Sequence, residues 1–341
     1  MGAAPDAPRP GAGRRPAGGG WKWRDAIHAA LSVLPAVVLI AAGHVVPGAA
    51  AAIGVLPAAL VGITPARCGR VLAVAIGAAF GIGMIIGSLL SGQPALAVAA
   101  LFTAALLASL AAARHRWGVL LLNLVVPAVA IGLSIPQPRE AVTLAVMILL
   151  GSLWSWLLAL AWPTRPAPAA AAPPPFPDRA AAARYGVVLG VAAAIAAASS
   201  LAMSLPHPGW AAAAVLLVMR PDIGLLTARG IGRALATIAG AVTAYAVLGW
   251  YPSPALIAAV TGVYLVATIG AGSSRRYVTP LATAFIALTM ILYGTAGQSE
   301  IRDTFWLRIV QNLYGVALAV AFGAIILPLW DRMARTRTPH G

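Results

Sequence analysis

Apolar residues fall along this chain in twelve runs, separated by short segments that carry most of the charge and many of the prolines. Six runs lie in the first half, at about 26–43, 48–63, 70–90, 94–113, 117–134 and 141–162, and six in the second, at about 184–204, 209–219, 228–250, 254–272, 277–295 and 303–329. A bilayer core about 30 Å thick needs about 20 apolar residues per helical crossing, and most of these runs meet that length. The pattern predicts an all-α membrane protein of about twelve transmembrane helices. Residues 1–20, rich in Gly, Pro, Ala and Arg, read as a disordered cytoplasmic tail. Trp21-Lys22-Trp23-Arg24 reads as an interfacial anchor. Residues 163–182 hold seven prolines and read as a Pro/Ala-rich cytoplasmic linker between a first membrane block (21–162) and a second (183–330), with a tail at 331–341.

The two blocks look like one module used twice. Pro47-Gly48 matches Pro208-Gly209, and Arg70-Val-Leu-Ala-Val-Ala-Ile-Gly77 lines up with Arg233-Ala-Leu-Ala-Thr-Ile-Ala-Gly240. Arg116-Trp117 matches Arg276-Tyr277, Gly151 matches Gly315, and Trp162-Pro163 matches Leu327-Pro328. Six spans per copy is an even number, so the copies are expected to be parallel repeats about an axis along the membrane normal.

Charge orients the runs. With the N-terminus inside, 20 of the 23 Lys and Arg residues fall on the cytoplasmic side, the exceptions being Arg139, Arg302 and Arg308. That is the positive-inside bias, and it places both termini in the cytoplasm. It also changes the meaning of the net charge of +15: the basic residues sit in short inter-helix loops, so nucleic acid is not the expected partner. A mean hydropathy of +0.90 with only 9% charged residues excludes an ordinary soluble domain. Cys68 is the single cysteine, which excludes an intrachain disulfide. No cleavable signal peptide is expected, because residues 1–20 lack an apolar core.

Two places carry candidate chemistry. The run 209–219 covers about 16 Å, half the hydrocarbon thickness. Either Arg220 and Asp222 then lie below the inner surface or the bilayer thins around them, and Arg229 and Arg233 share a face of the next helix, expected to begin near Thr227. These four residues read either as a positive-inside anchor touching headgroups or as a cytosolic vestibule that gathers anions. In the last run, Thr304, Arg308, Gln311, Asn312, Gly315 and Ala319 share an arc of about 100°. A polar stripe on a membrane helix is expected to face the protein interior or a water-filled path. The competing reading has Arg308 snorkelling to outer headgroups, which the deeper Gln311 and Asn312 cannot do. The corresponding stripe in the first half, Glu140, Leu144, Met147, Ile148, Gly151 and Ser155, has lost its deep polar groups, so the chemistry is expected in the second copy. Asn123 and Thr283 occupy matching positions in the fifth spans, where they serve either helix–helix hydrogen bonding or the substrate path.

Other chemistries are not offered. With Lys22 the only lysine, there is no phosphate-binding Gly-x-x-x-x-Gly-Lys motif. The five histidines show no metal-ligand spacing, and the eight acidic residues lie in loops or at span ends. No enzymatic activity, cofactor or metal is expected.

Trp210-Ala211, Arg220-Pro221-Asp222 with Gly224, Arg229 and Arg233 followed by Thr237 and Gly240, then Arg308, Gly315 and Pro328, together resemble the FUSC family, the fusaric-acid-resistance-like and aromatic-acid-exporter group of bacterial inner-membrane proteins. The resemblance covers about half of the chain, and the first half joins it weakly through the repeat. It implies efflux of aromatic or other organic carboxylates across the inner membrane. Many members carry a large cytoplasmic domain and work with periplasmic adaptor proteins; neither such a domain nor an adaptor is expected here. The partners expected are a small organic anion and the lipid bilayer, with homo-oligomerisation left open. The reading is a permease or channel exporting organic anions; the alternative is a non-transporting membrane scaffold or assembly protein.

Overall fold

A computed structural model describes residues 23–61, 67–163, 178–250, 253–270, 275–293 and 297–336; the predicted N-terminal tail, most of the linker and the last five residues lie outside them. Among the described residues the chain forms twelve helices and no strand. They are α1 Trp23–Ala41, α2 Val45–Val61, α3 (a 3-10 turn Arg67–Val71 running into Leu72–Leu90), α4 Pro94–Ala112, and α5, in which Arg116–Leu120 and Val126–Gly132 flank a π turn Leu121–Val125. There follow α6 Pro138–Ala161, α7 Arg179–Ala202, α8 Gly209–Val218, α9 Ile223–Trp250, α10 Pro254–Gly270 and α11 Arg275–Leu292. The last is α12, Gln298–Ala321, continued through a π turn Phe322–Ile326 into Leu327–Thr336.

Local chemistry sets the starts. Pro94 and Pro138 occupy first-turn positions, where no intrahelical N–H is needed. Asp178 caps α7 by accepting from the Ala181 amide at 3.3 Å. Asp222 caps α9 by accepting from the Leu225 amide at 2.7 Å. That cap starts α9 at Ile223, one turn earlier than the expected start near Thr227, and lengthens it to 28 residues.

Seven helices (α1, α3, α4, α6, α7, α9 and α12) are long and apolar enough to cross a membrane, and the other five are shorter apolar helices. Large apolar side chains stand exposed on outward faces, as with Ile27, Leu31, Leu34 and Val38 of α1 or Val142, Val146, Leu149 and Leu153 of α6. Such stripes are tolerable in lipid and would drive aggregation in water. The molecule is a multi-pass membrane protein.

Helix pairings recur six helices on. α2 lies along α6 as α8 lies along α12; α3 packs against α5 and α6 as α9 packs against α11 and α12. α4 lies along α7, and α1 along α10, so the first helix of each half rests on the fourth helix of the other. The closest approaches depend on glycine. A β-carbon on Gly151 would strike the Ala51 carbonyl, and one on Gly315 would strike the Ala211 carbonyl. In both halves the sixth helix therefore meets the second at backbone contact, the small-residue packing that membrane helices use where hydrophobicity offers no drive.

Candidate functional site

The site is built around α8. This ten-residue helix, Gly-Trp-Ala-Ala-Ala-Ala-Val-Leu-Leu-Val, is buried over nearly its whole length among α5, α7 and α12, so it touches protein where longer helices touch lipid. At its start the Gly209 amide donates to Ser134 Oγ at 3.2 Å. At its end the Met219 carbonyl accepts from the Tyr185 hydroxyl at 3.0 Å and from Arg220 Nη1 at 2.6 Å. A cation there complements the helix dipole. Arg220 Nη2 also donates to Asn123 Oδ1 at 2.5 Å, while Asn123 Nδ2 donates to the Val119 carbonyl at 2.7 Å. Asn123 sits inside the π turn of α5. Two residues assigned to different places on the sequence, the path and the vestibule, thus form one hydrogen-bonded end to α8. Asp222 beside them is exposed and caps α9, and Arg229 is exposed about two turns further on.

The second centre joins α8, α9 and α12. Gln311 and Asn312 are buried, at 2% and 4% exposure, on the same inward face of α12 as Gly315 and Ala319, whereas Val310, Leu313 and Tyr314 of the opposite face are exposed. The Arg308 guanidinium lies 4.5 Å from the Trp210 ring centroid, a cation–π contact. His207 stacks on the other part of this shelf, its ring 4.3 Å from that of Trp210 with 17° between planes. His207 lies in the connection between α7 and α8; burial, with the Arg308 charge adding to it, pushes its pKa down to about 4, so the ring is neutral at pH 7.

Helix register brings a second arginine to this place. Leu226 meets Gly323 and Gly230 meets Val316 and Val320, so α9 runs antiparallel to α12. Arg233 follows Gly230 by less than one turn and comes level with Gly315, about one turn from Asn312. Protein surrounds both Arg233 and Arg308, each keeps part of its own surface accessible, and the two charges act on one another. Neither has an acidic or hydrogen-bonding partner among the described residues; Arg233 Nε, Arg308 Nε, both amide atoms of Gln311 and Asn312 Nδ2 are buried without one. Buried cations cost several kcal/mol when uncompensated, and a lone buried amide atom costs about 1–3 kcal/mol. Two guanidinium groups and two amides with open donors are the chemistry that recognises carboxylates.

The other sequence candidates fall elsewhere. Thr283 is half-buried on α11, and its hydroxyl donates to the Thr279 and Pro280 carbonyls of its own helix at 3.0 and 3.1 Å. In the first half, Arg70 is buried but donates to the Ala159 and Trp162 carbonyls at the end of α6. Its charge serves a helix end, whereas Arg233 and Arg308 have no such acceptor. Trp210 and His207 escaped the sequence reading as site residues; the signal available was their position at the mouth of the shortest apolar run, 209–219. Among the described residues no three His, Cys, Asp or Glu side chains converge on one point.

Residues 191–322, from the middle of α7 to the π turn of α12, match the fusaric acid resistance protein-like family. The match supports membership of this family and lies within the second half of the chain. The matched segment contains all of α8 and every residue of the arginine centre. No curated protein and no solved structure matches the chain.

Proposed function

We propose that this protein is a permease or channel that exports organic anions, aromatic carboxylates among them, from the cytoplasm. The observation that carries the reading is the pair Arg233 and Arg308, deep in the bundle beside Gln311 and Asn312 and without an acidic partner among the described residues. The family match supports a membrane transport or efflux role. The matched helix pairings support two parallel six-helix repeats, and the positive-inside distribution supports an inner-membrane protein with both termini cytoplasmic. No catalytic step is assigned to any residue.

Transport needs little beyond selectivity for negative charge. A membrane potential negative inside favours anion exit by about 2.3 kcal/mol per charge per 100 mV, about a 50-fold concentration ratio for a monoanion. Arg229 and Arg220 supply positive potential on the inner side, and Arg233 and Arg308 supply it along the path. Proton exchange has no part in this mechanism. In proteoliposomes, benzoate flux should follow an imposed potassium-diffusion potential and persist when the pH gradient is collapsed. Flux that requires a pH gradient and ignores voltage overturns the mechanism, and absence of flux under both conditions favours the scaffold alternative.

A further inference from the structure

The proposed function requires one anionic group in the path; among the described residues, Arg233 and Arg308 both stand there without an acidic partner. Resting on that reading, we infer that the site formed by Arg233, Arg308, Gln311 and Asn312 is built for a dianion with two separated charges, a dicarboxylate in preference to a monocarboxylate. The first ground is charge balance. Arg308 and Arg233 are both surrounded by protein, act on one another electrostatically, and have no acidic neighbour among the described residues. A monoanion bound between them leaves a net positive charge in a low-dielectric interior, and a dianion does not.

The second ground is spacing. α9 and α12 are antiparallel, with Gly230 facing Val316 and Val320. Arg233 therefore sits about two turns of α12 below Arg308, with about 10 Å of helix rise between the two backbones. Gln311 and Asn312 occupy that interval, with Gln311 Nε2, Gln311 Oε1 and Asn312 Nδ2 buried and unpartnered. A ligand held at Arg308 has its far end beside these amides and then Arg233. The third ground is the anchor. Arg308 lies over the Trp210 ring and His207 stacks on that ring, so the Arg308 end of the site is held in place before a ligand binds.

The experiment is competition against radiolabelled benzoate on purified protein in proteoliposomes at pH 7.5. Unlabelled benzoate and terephthalate are compared, with sulfate at matched ionic strength as the screening control. Terephthalate shares the ring of benzoate and adds a second carboxylate at its opposite end. It should displace label at a concentration at least about tenfold lower, the return on one further charge-assisted contact. R233Q should abolish that advantage, so that the two acids displace label at similar concentrations, while R233K, which keeps the charge, should retain most of it. R233K also covers the case in which R233Q does not fold. Equal displacement by the two acids in the unmodified protein, or an advantage that survives R233Q, overturns the inference and leaves anion transport standing. Failure of the protein to bind either acid overturns the transport reading and this inference with it.

Discussion

Arg220 and Asn123, 97 residues apart, meet at 2.5 Å where the end of α8 touches the π turn of α5. Asn123 cannot be spared cheaply, because its amide spans two helices: it accepts from Arg220 and donates to the Val119 carbonyl. The π turn supplies the extra residue of winding that lets a side chain leave a helix at this angle, a device common at functional sites. Asn123→Ala should lower the melting temperature in detergent, with a destabilisation of about 1–3 kcal/mol for a charged group left short of an acceptor. Asn123→Asp should recover much of that loss by giving Arg220 a carboxylate. Equal melting temperatures for the two variants would show that the contact carries no weight.

Arg308 is held against the Trp210 ring. Arg308→Ala should reduce anion flux more than Arg308→Lys, because lysine retains the charge but lacks the planar fork that binds a carboxylate through two donors. Trp210→Leu should raise the half-saturating anion concentration by about tenfold, in line with a desolvated cation–π contact of about 1–2 kcal/mol. Trp210→Phe should fall between the two. Flux kinetics across a concentration series check both statements, and a Trp210→Leu effect confined to the maximal rate would place Trp210 outside the binding step.

The helices were legible in the sequence because each is written as an apolar run with a polar or proline break, and the membrane environment penalises any other arrangement. Their lengths were legible less well. Asp222 reads as a vestibule charge, and only its bond to the Leu225 amide shows that it starts α9. That one-turn error matters, because it carries Arg233 away from the helix mouth and into the bundle. The inward stripe of α12 follows from periodicity alone, but its partner does not: nothing in the spacing of Arg233 and Arg308 reveals that antiparallel packing sets them together. The two π turns leave no mark in composition or period.

Gly315 tests the packing that holds the site together. Its missing β-carbon is what allows α12 to meet α8 at the Ala211 carbonyl. Gly315→Val should destabilise by at least about 1–3 kcal/mol, the usual cost of overpacking, and more because the obstacle is backbone. Gly297→Ala is the control: a β-carbon there meets nothing within 4 Å. Size-exclusion profiles and melting temperatures of the two variants should separate clearly, and parity between them would mean that α8 and α12 are free to move apart.

His207 should make the protein sensitive to acid. Its ring is stacked on Trp210, near Arg308, and its pKa in the folded protein lies at about 4, against about 6.5 in an unfolded chain. Between these values the unfolded state binds more protons than the folded one, so stability rises with pH across the window and is lost as pH falls through it. Taking the protein from pH 7 to pH 5 should cost at most about 2 kcal/mol from this group, and less to the extent that solvent reaches the half-buried ring. The charged neighbours do not offset this: Arg308 faces the ring, Arg233 stands behind Arg308, and the contact from α5 comes through the uncharged Ser134 backbone. His207→Gln should therefore lose less melting temperature than the unmodified protein over the same pH interval. A bound carboxylate should narrow the difference, since it pairs with Arg308 and lowers the electrostatic cost of protonating His207. Thermal melts at pH 7 and pH 5, with and without terephthalate, read both effects. Equal acid sensitivity in the variant would show that His207 binds protons alike in the folded and unfolded states, and would overturn the lowered pKa.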